Sequence, residues 1–184
     1  MAKRKKAAVK AKPRATGRVQ ADKKPRKARP AAPRRRSARL SPLLRSAFEV
    51  LEHGLWHFFR SSTTTDMKFA LLHVDQAVEL LLKEKVRSAG KSVYRNPKET
   101  ITIWGAYDIL ENKLSLNIPE KPDLELLHEE RNSIQHKYAN PSPEDAAFHI
   151  EKAMIFVRRF LSQELDVDLS DHIPSKYIED ILTE

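Results

Sequence analysis

TDMKFALLHVDQAVELLLKEKVRSAG, residues 65–90, decides the fold, because Ala70, Val74, Ala77, Val78 and Leu81 recur at a spacing that reaches one face only in a helix. Thr65 and Asp66 suit its start, and Gly90 supplies a residue that tolerates a left-handed C-terminal turn. It is the longest apolar element of the chain.

The segments on either side repeat the pattern. Upstream, Ser41 and Pro42 form a cap and a first-turn proline, and Leu44, Phe48, Leu51, Leu55 and Phe58 then recur in steps of three and four to about Arg60. Downstream, beyond a loop at Tyr94 to Pro97, Ile101, Trp104, Tyr107, Ile109 and Leu114 predict a shorter helix, although Ile101, Thr102 and Ile103 favour strand locally. Asn117 to Pro122 is a connector, and Asp123 then caps a fourth helix that ends before Asn140 and Pro141. Ser142, Pro143, Glu144 and Asp145 have the cap, proline and acidic third position of a helix start, and Ile150, Met154, Val157, Leu161 and Leu165 form a stripe after it. A last short helix follows Pro174 and Ser175, carrying Tyr177, Ile178, Ile181 and Leu182. With short connections, little glycine and no alternating strand pattern, residues 41–184 are expected to form one all-α domain, an up-and-down bundle of four to five helices plus a short C-terminal helix.

The formal charge of +9 is distributed unevenly. Residues 1–40 hold 17 Lys and Arg against the single acid Asp22, whereas residues 41–184 hold 17 against 24, so the first segment is +16 and the rest −7. Rich in Ala, Pro, Lys and Arg, that tail buries too little apolar area to offset its ordering entropy and is expected to be disordered. Many cations on a flexible chain neutralise phosphates and release counterions, which points to sequence-independent binding of DNA or RNA; Lys3, Arg4, Lys5, Lys6, Arg34, Arg35 and Arg36 are its densest charges. A solubility or targeting extension is the competing role.

There is no cysteine, which excludes disulfides and thiolate metal sites and suits a reducing compartment. No uncharged run approaches the roughly 18 apolar residues of a membrane span. A cytoplasmic protein without a membrane partner is expected, nucleoid-associated if the tail binds DNA.

Chemistry is concentrated on the fourth helix. Leu124, Leu127, Arg131, Ile134 and Tyr138 follow steps of three and four, so Arg131 falls midway along a stripe that should face protein. Its neighbours at i±3 and i±4 are Leu127, His128, Ile134 and Gln135, none of them an acid. An unpaired guanidinium on a packed face is costly, so its partner is a carboxylate on another helix, a neighbouring subunit or a substrate phosphate. His136 lies about 140° round from Arg131, at roughly 100° per residue, so one helix does not aim both at one point. A two-fold pair of helices can bring Arg131 and His136 of both copies to one cleft. There a histidine near neutral pH can take a proton from a ribose 2′-hydroxyl while arginine neutralises charge on the scissile phosphate, with no metal required.

Plainer roles exist for the same residues. His136 meets the C-terminal helix dipole favourably, and Arg131 can bridge to Glu79, Glu49 or another acid of the bundle. His53 and His57, at i and i+4, could ligate zinc, but no third ligand at a telling spacing accompanies them and packing around Trp56 is the simpler role. His73, His128, His149 and His172 lie singly. With four glycines there is no phosphate-cradling loop, and neither a cofactor nor a metal is expected.

Arg131, four residues, His136, one residue and Tyr138, on the penultimate long helix of a small bundle and with Asn132 straight after the arginine, resemble the HEPN superfamily (higher eukaryotes and prokaryotes nucleotide-binding). The segment Phe69 to Lys83 is similar to the second-helix signature of such domains. The resemblance covers about residues 42–165 and leaves out the tail. It implies a homodimer with a composite, metal-independent endoribonuclease site acting on RNA, commonly as the toxin of a toxin–antitoxin pair or in phage defence. On that resemblance Arg131 and His136 are catalytic and Asn132 orients or polarises the site. It further implies that Tyr138 is the residue nucleotidylated by a minimal nucleotidyltransferase antitoxin; the alternative for Tyr138 is a core or interface tyrosine on the stripe.

Overall fold

The computed structural model describes residues 40–60 and 63–182. The basic tail expected at residues 1–40, with Lys3, Arg4, Lys5, Lys6, Arg34, Arg35 and Arg36, lies outside the described residues except for Leu40.

The chain is all-α. Among the described residues six α-helices run in order: α1 (Pro42–Arg60), α2 (Thr64–Ser88), α3 (Ile103–Asp108), α4 (Lys121–Lys137), α5 (Pro143–Glu164) and α6 (Ser175–Leu182). α2 is the central element and packs against α1, α4 and α5. That explains its composition: Ala70, Leu71, Val74, Ala77, Val78, Leu81, Leu82 and Val86 are all buried, on more than one face. Leu51 and Leu55 of α1, Leu124 and Leu127 of α4, and Phe156 and Phe160 of α5 complete the core. Each such side chain contributes about 1.5–3 kcal/mol relative to leaving it in water.

Local chemistry fixes the helix ends. Thr63, rather than Thr65 or Asp66, caps α2, its hydroxyl accepting the Asp66 N–H at 3.2 Å. Gly90 takes φ +73, the left-handed turn expected there. Ser142 and Asp145 form a reciprocal capping box at α5. α4 begins earlier than expected, at Lys121, and Asp123 is not its cap: Pro122 sits in the first turn, where a missing N–H is harmless, so the helix extends back past it. Glu120 precedes it and joins α5 through two hydrogen bonds from Arg159, the Nη2 bond at 2.6 Å.

Two elements differ from the expectation. Tyr94 to Pro97 belongs to a small antiparallel hairpin, β1 (Tyr94–Asn96) with β2 (Glu99–Thr100), because Asn96 closes the turn by accepting the Lys98 N–H at 2.9 Å and donating to Glu99 at 2.8 Å. The strand preference at Ile101 to Ile103 is overridden by Thr102, whose hydroxyl caps α3. α3 then continues as a π-helical turn, Ile109–Lys113, so the helix expected through Leu114 is present but widened. Lys83 ties the hairpin to α2 by donating to the Thr100 hydroxyl at 2.9 Å.

Candidate functional site

Asp75 is four residues after Leu71 and three before Val78, so helical phase carries its carboxylate into the contact between α2 and α4. Its side chain is only 2% exposed. A carboxylate buried this far needs cationic or hydrogen-bonding partners, and α4 supplies them. Nδ1 of His128 lies 3.1 and 3.2 Å from the two Asp75 oxygens, and Nε of Arg131 lies 3.6 Å from Oδ2. Arg131 also donates from Nη1 to Oδ1 of Asn132 at 2.9 Å. His128 and Arg131 are three residues apart on one helix, which is why a single carboxylate can serve both.

Trp104 closes the cluster, its ring edge-on to His128 with centroids 5.7 Å apart. The Asp75 hydrogen bond raises the His128 pKa; burial and the Arg131 charge oppose it, and the bond prevails. Nearby, the Tyr107 hydroxyl is buried without a hydrogen-bond partner among the described residues, and burial pushes its pKa well up.

Of the three partners open to Arg131 in the sequence, the structure supplies a carboxylate on another helix of the same chain. The acid is Asp75, not Glu79 or Glu49. Arg131 and Asn132 are brought together; His136 is not joined to them and lies exposed in the last turn of α4, with no hydrogen bond or ion pair among the described residues.

Tyr138 requires a correction. It does not continue the packed stripe, which ends at Ile134. α4 closes at Lys137, and Tyr138 takes the left-handed conformation with φ 58 and ψ 29. The N–H groups of Tyr138 and Ala139 both return to the Ser133 carbonyl. Leaving helical phase carries the ring out of the stripe, so Tyr138 is 87% exposed and is not a core tyrosine.

A second cluster forms between α1 and α2. His53 and His57 of α1 and His73 of α2 each offer a nitrogen within 4.8 Å of the other two. His57 meets Asp66 at 2.8 Å through Nδ1, and Nδ1 of His73 is buried without a hydrogen bond of acceptable geometry. Burial and the neighbouring His53 and His57 lower the His73 pKa, outweighing the Phe69 carbonyl one turn earlier, so its imidazole is favoured neutral. The third histidine missing from the sequence pattern is therefore His73.

Asp75 and His128 were the other residues that spacing alone did not single out. Their signals were present: an acid inside the apolar text of the longest helix, and a histidine three residues before Arg131.

No family model matches the chain, and no curated protein or solved structure matches it. No helix among the described residues is long and apolar enough to cross a membrane.

Proposed function

We propose that the protein is a metal-independent endoribonuclease of HEPN type whose site is completed between two copies of the chain. The observation that carries this reading is the contrast on α4: Arg131 is held half-buried by Asp75 and Asn132, whereas His136, five residues on, is exposed with no partner among the described residues. An arginine fixed in this way keeps the Nη2 hydrogens and one Nη1 hydrogen for a phosphate, and its orientation is set before substrate arrives. His136 of the opposite copy takes the proton of the ribose 2′-hydroxyl, whose oxygen attacks the adjacent phosphorus while Arg131 neutralises the developing charge; the P–O5′ bond breaks, leaving a 2′,3′-cyclic phosphate and a 5′-hydroxyl that takes its proton from the His136 imidazolium or from water. Asn132 is a positioning residue on this reading, because its oxygen engages the guanidinium.

Trp104 on α3, Leu126 on α4 and Tyr138 at its C-terminal end are each exposed, which leaves apolar side chains available for pairing of two chains. Exposed Tyr138 is also accessible to a nucleotidyltransferase antitoxin, consistent with a toxin or phage-defence effector in the cytoplasm. The tail adds general affinity for RNA or nucleoid DNA. The test is cleavage of RNA by the full chain in EDTA, with Arg131→Ala and His136→Ala each abolishing cleavage while the dimer persists.

A second reading has an observation of its own. Asp75 already neutralises Arg131, as it would in a non-catalytic dimeric module that binds nucleic acid through its tail. That module cleaves no RNA and retains nucleic-acid affinity in Arg131→Ala.

A further inference from the structure

α1 and α2 approach closely at Gly54. A Cβ there would stand 3.1 Å from the Ala70 carbonyl oxygen, the His73 Cβ and the Val74 Cγ2. A side chain here would push its neighbours back by a few tenths of an ångström, and the close approach places His73 opposite the two histidines of α1 that lie on either side of Gly54 in sequence. The ring centroids of His53 and His73 are 4.6 Å apart, and those of His53 and His57 are 4.7 Å apart.

Three imidazoles within this distance can be a packed aromatic stack or a ligand set. Two features favour ligands. Asp66 engages Nδ1 of His57, which fixes the ring and leaves Nε2 as its free lone pair, the carboxylate–histidine arrangement that supports metal-bound imidazoles. His73 also keeps a buried Nδ1 with only the Phe69 carbonyl one turn earlier beside it, which leaves the other nitrogen of that ring available as a donor. Trp56 and Phe69 lie against the cluster, Trp56 on His53 and Phe69 on His57 and His73.

We propose that His53, His57 and His73 form a binding site for one divalent transition-metal ion of the zinc class per chain, with Asp66 supporting His57. All-imidazole donors suit zinc, copper or nickel rather than magnesium or calcium. A closed tetrahedral site has zinc–nitrogen distances of about 2.0–2.1 Å, hence nitrogens about 3.3 Å apart. The nitrogens stand within 4.8 Å of one another, so the three rings close by up to about 1.5 Å on a bound ion. Three protein ligands leave a fourth position for water. Bound metal links α1 to α2 on a different side of α2 from Asp75, so this site and the Arg131 site are independent.

Calorimetric titration of the full chain with zinc chloride tests the proposal. One zinc per chain is expected, with affinity reduced at least tenfold in His53→Ala and in His73→Gln. Cobalt substitution should give the visible absorption of a tetrahedral, nitrogen-ligated ion, lost in both variants. His53 is exposed, so His53→Ala remains decisive even if His73→Gln fails to fold. Absence of zinc binding by the wild-type chain overturns the proposal. So does unchanged affinity in His53→Ala, which would place the bound ion on other histidines such as His136.

Discussion

The buried carboxylate of Asp75 lies 3.6 Å from Nε of Arg131, so an acid in the middle of α2 sets the position of the arginine on which the proposed chemistry depends. On the proposed chemistry, stability and activity are coupled at this one contact. Asp75→Asn removes the charge facing both His128 and Arg131. Breaking a fully buried pair costs about 3–5 kcal/mol, but Arg131 is 30% exposed and water offsets part of the loss, so about 2 kcal/mol is expected from urea unfolding. RNA cleavage should fall in the folded variant as well. Wild-type stability in Asp75→Asn would show that the pair does not anchor α4.

His128 makes the α2 and α4 contact sensitive to pH. Its folded pKa is raised above the ordinary 6.5, first by the Asp75 hydrogen bond, so the stability it adds is fully present below pH 6.5 and is lost as pH rises through the folded value. Hydrogen bonds to charged groups contribute about 1.5–3 kcal/mol, and His128→Ala should lose an amount in this range in mild acid. The gap between wild type and variant should narrow toward pH 9. A gap that widens with pH would mean the histidine is held neutral.

Tyr107 offers the opposite kind of test, because its hydroxyl is buried with no hydrogen-bond partner among the described residues. Tyr107→Phe removes an unsatisfied polar group and keeps the ring, so stability should stay level or rise by up to about 1 kcal/mol. A loss of 2 kcal/mol or more would reveal a partner for that hydroxyl.

Tyr138 stands in a left-handed conformation that costs a non-glycine residue about 1–2 kcal/mol. Tyr138→Gly should leave the melting temperature unchanged or slightly raised, since the ring is exposed and packs against nothing that would be lost. If Tyr138 lies at the interface between copies, the same variant weakens the dimer in sedimentation experiments. Clear destabilisation of a monomeric form would show that the tyrosine is packed after all.

The fold was legible because apolar spacing and caps agree along most of the chain. Ser142 with Asp145, Gly90, and the stripes of α1 and α5 each have a local chemical cause visible in the text. The hairpin at Tyr94 to Thr100 was not legible, since it depends on side-chain closure of a turn by Asn96 within a segment of weak strand character. Nor was the exit of Tyr138 from its stripe, which a continued three-and-four rhythm disguises: periodicity shows where a side chain would point if the helix went on, not where the helix stops. Arg131 could be seen to need an anion, but choosing Asp75 over Glu79 requires knowing how α2 and α4 are rotated against each other. The same tertiary information brings His73 to His53 and His57, residues separated by the whole turn between two helices.

The central proposal is that Arg131 of one chain acts with His136 of another. Mixing Arg131→Ala chains with His136→Ala chains, each inactive alone, should rebuild one intact site in every mixed dimer. At equal mixing half of the dimers are mixed and each carries one working site of two, so RNA cleavage in EDTA should return to about a quarter of the wild-type rate. No recovery, with mixed dimers demonstrated by native mass spectrometry, would contradict a site shared between two chains.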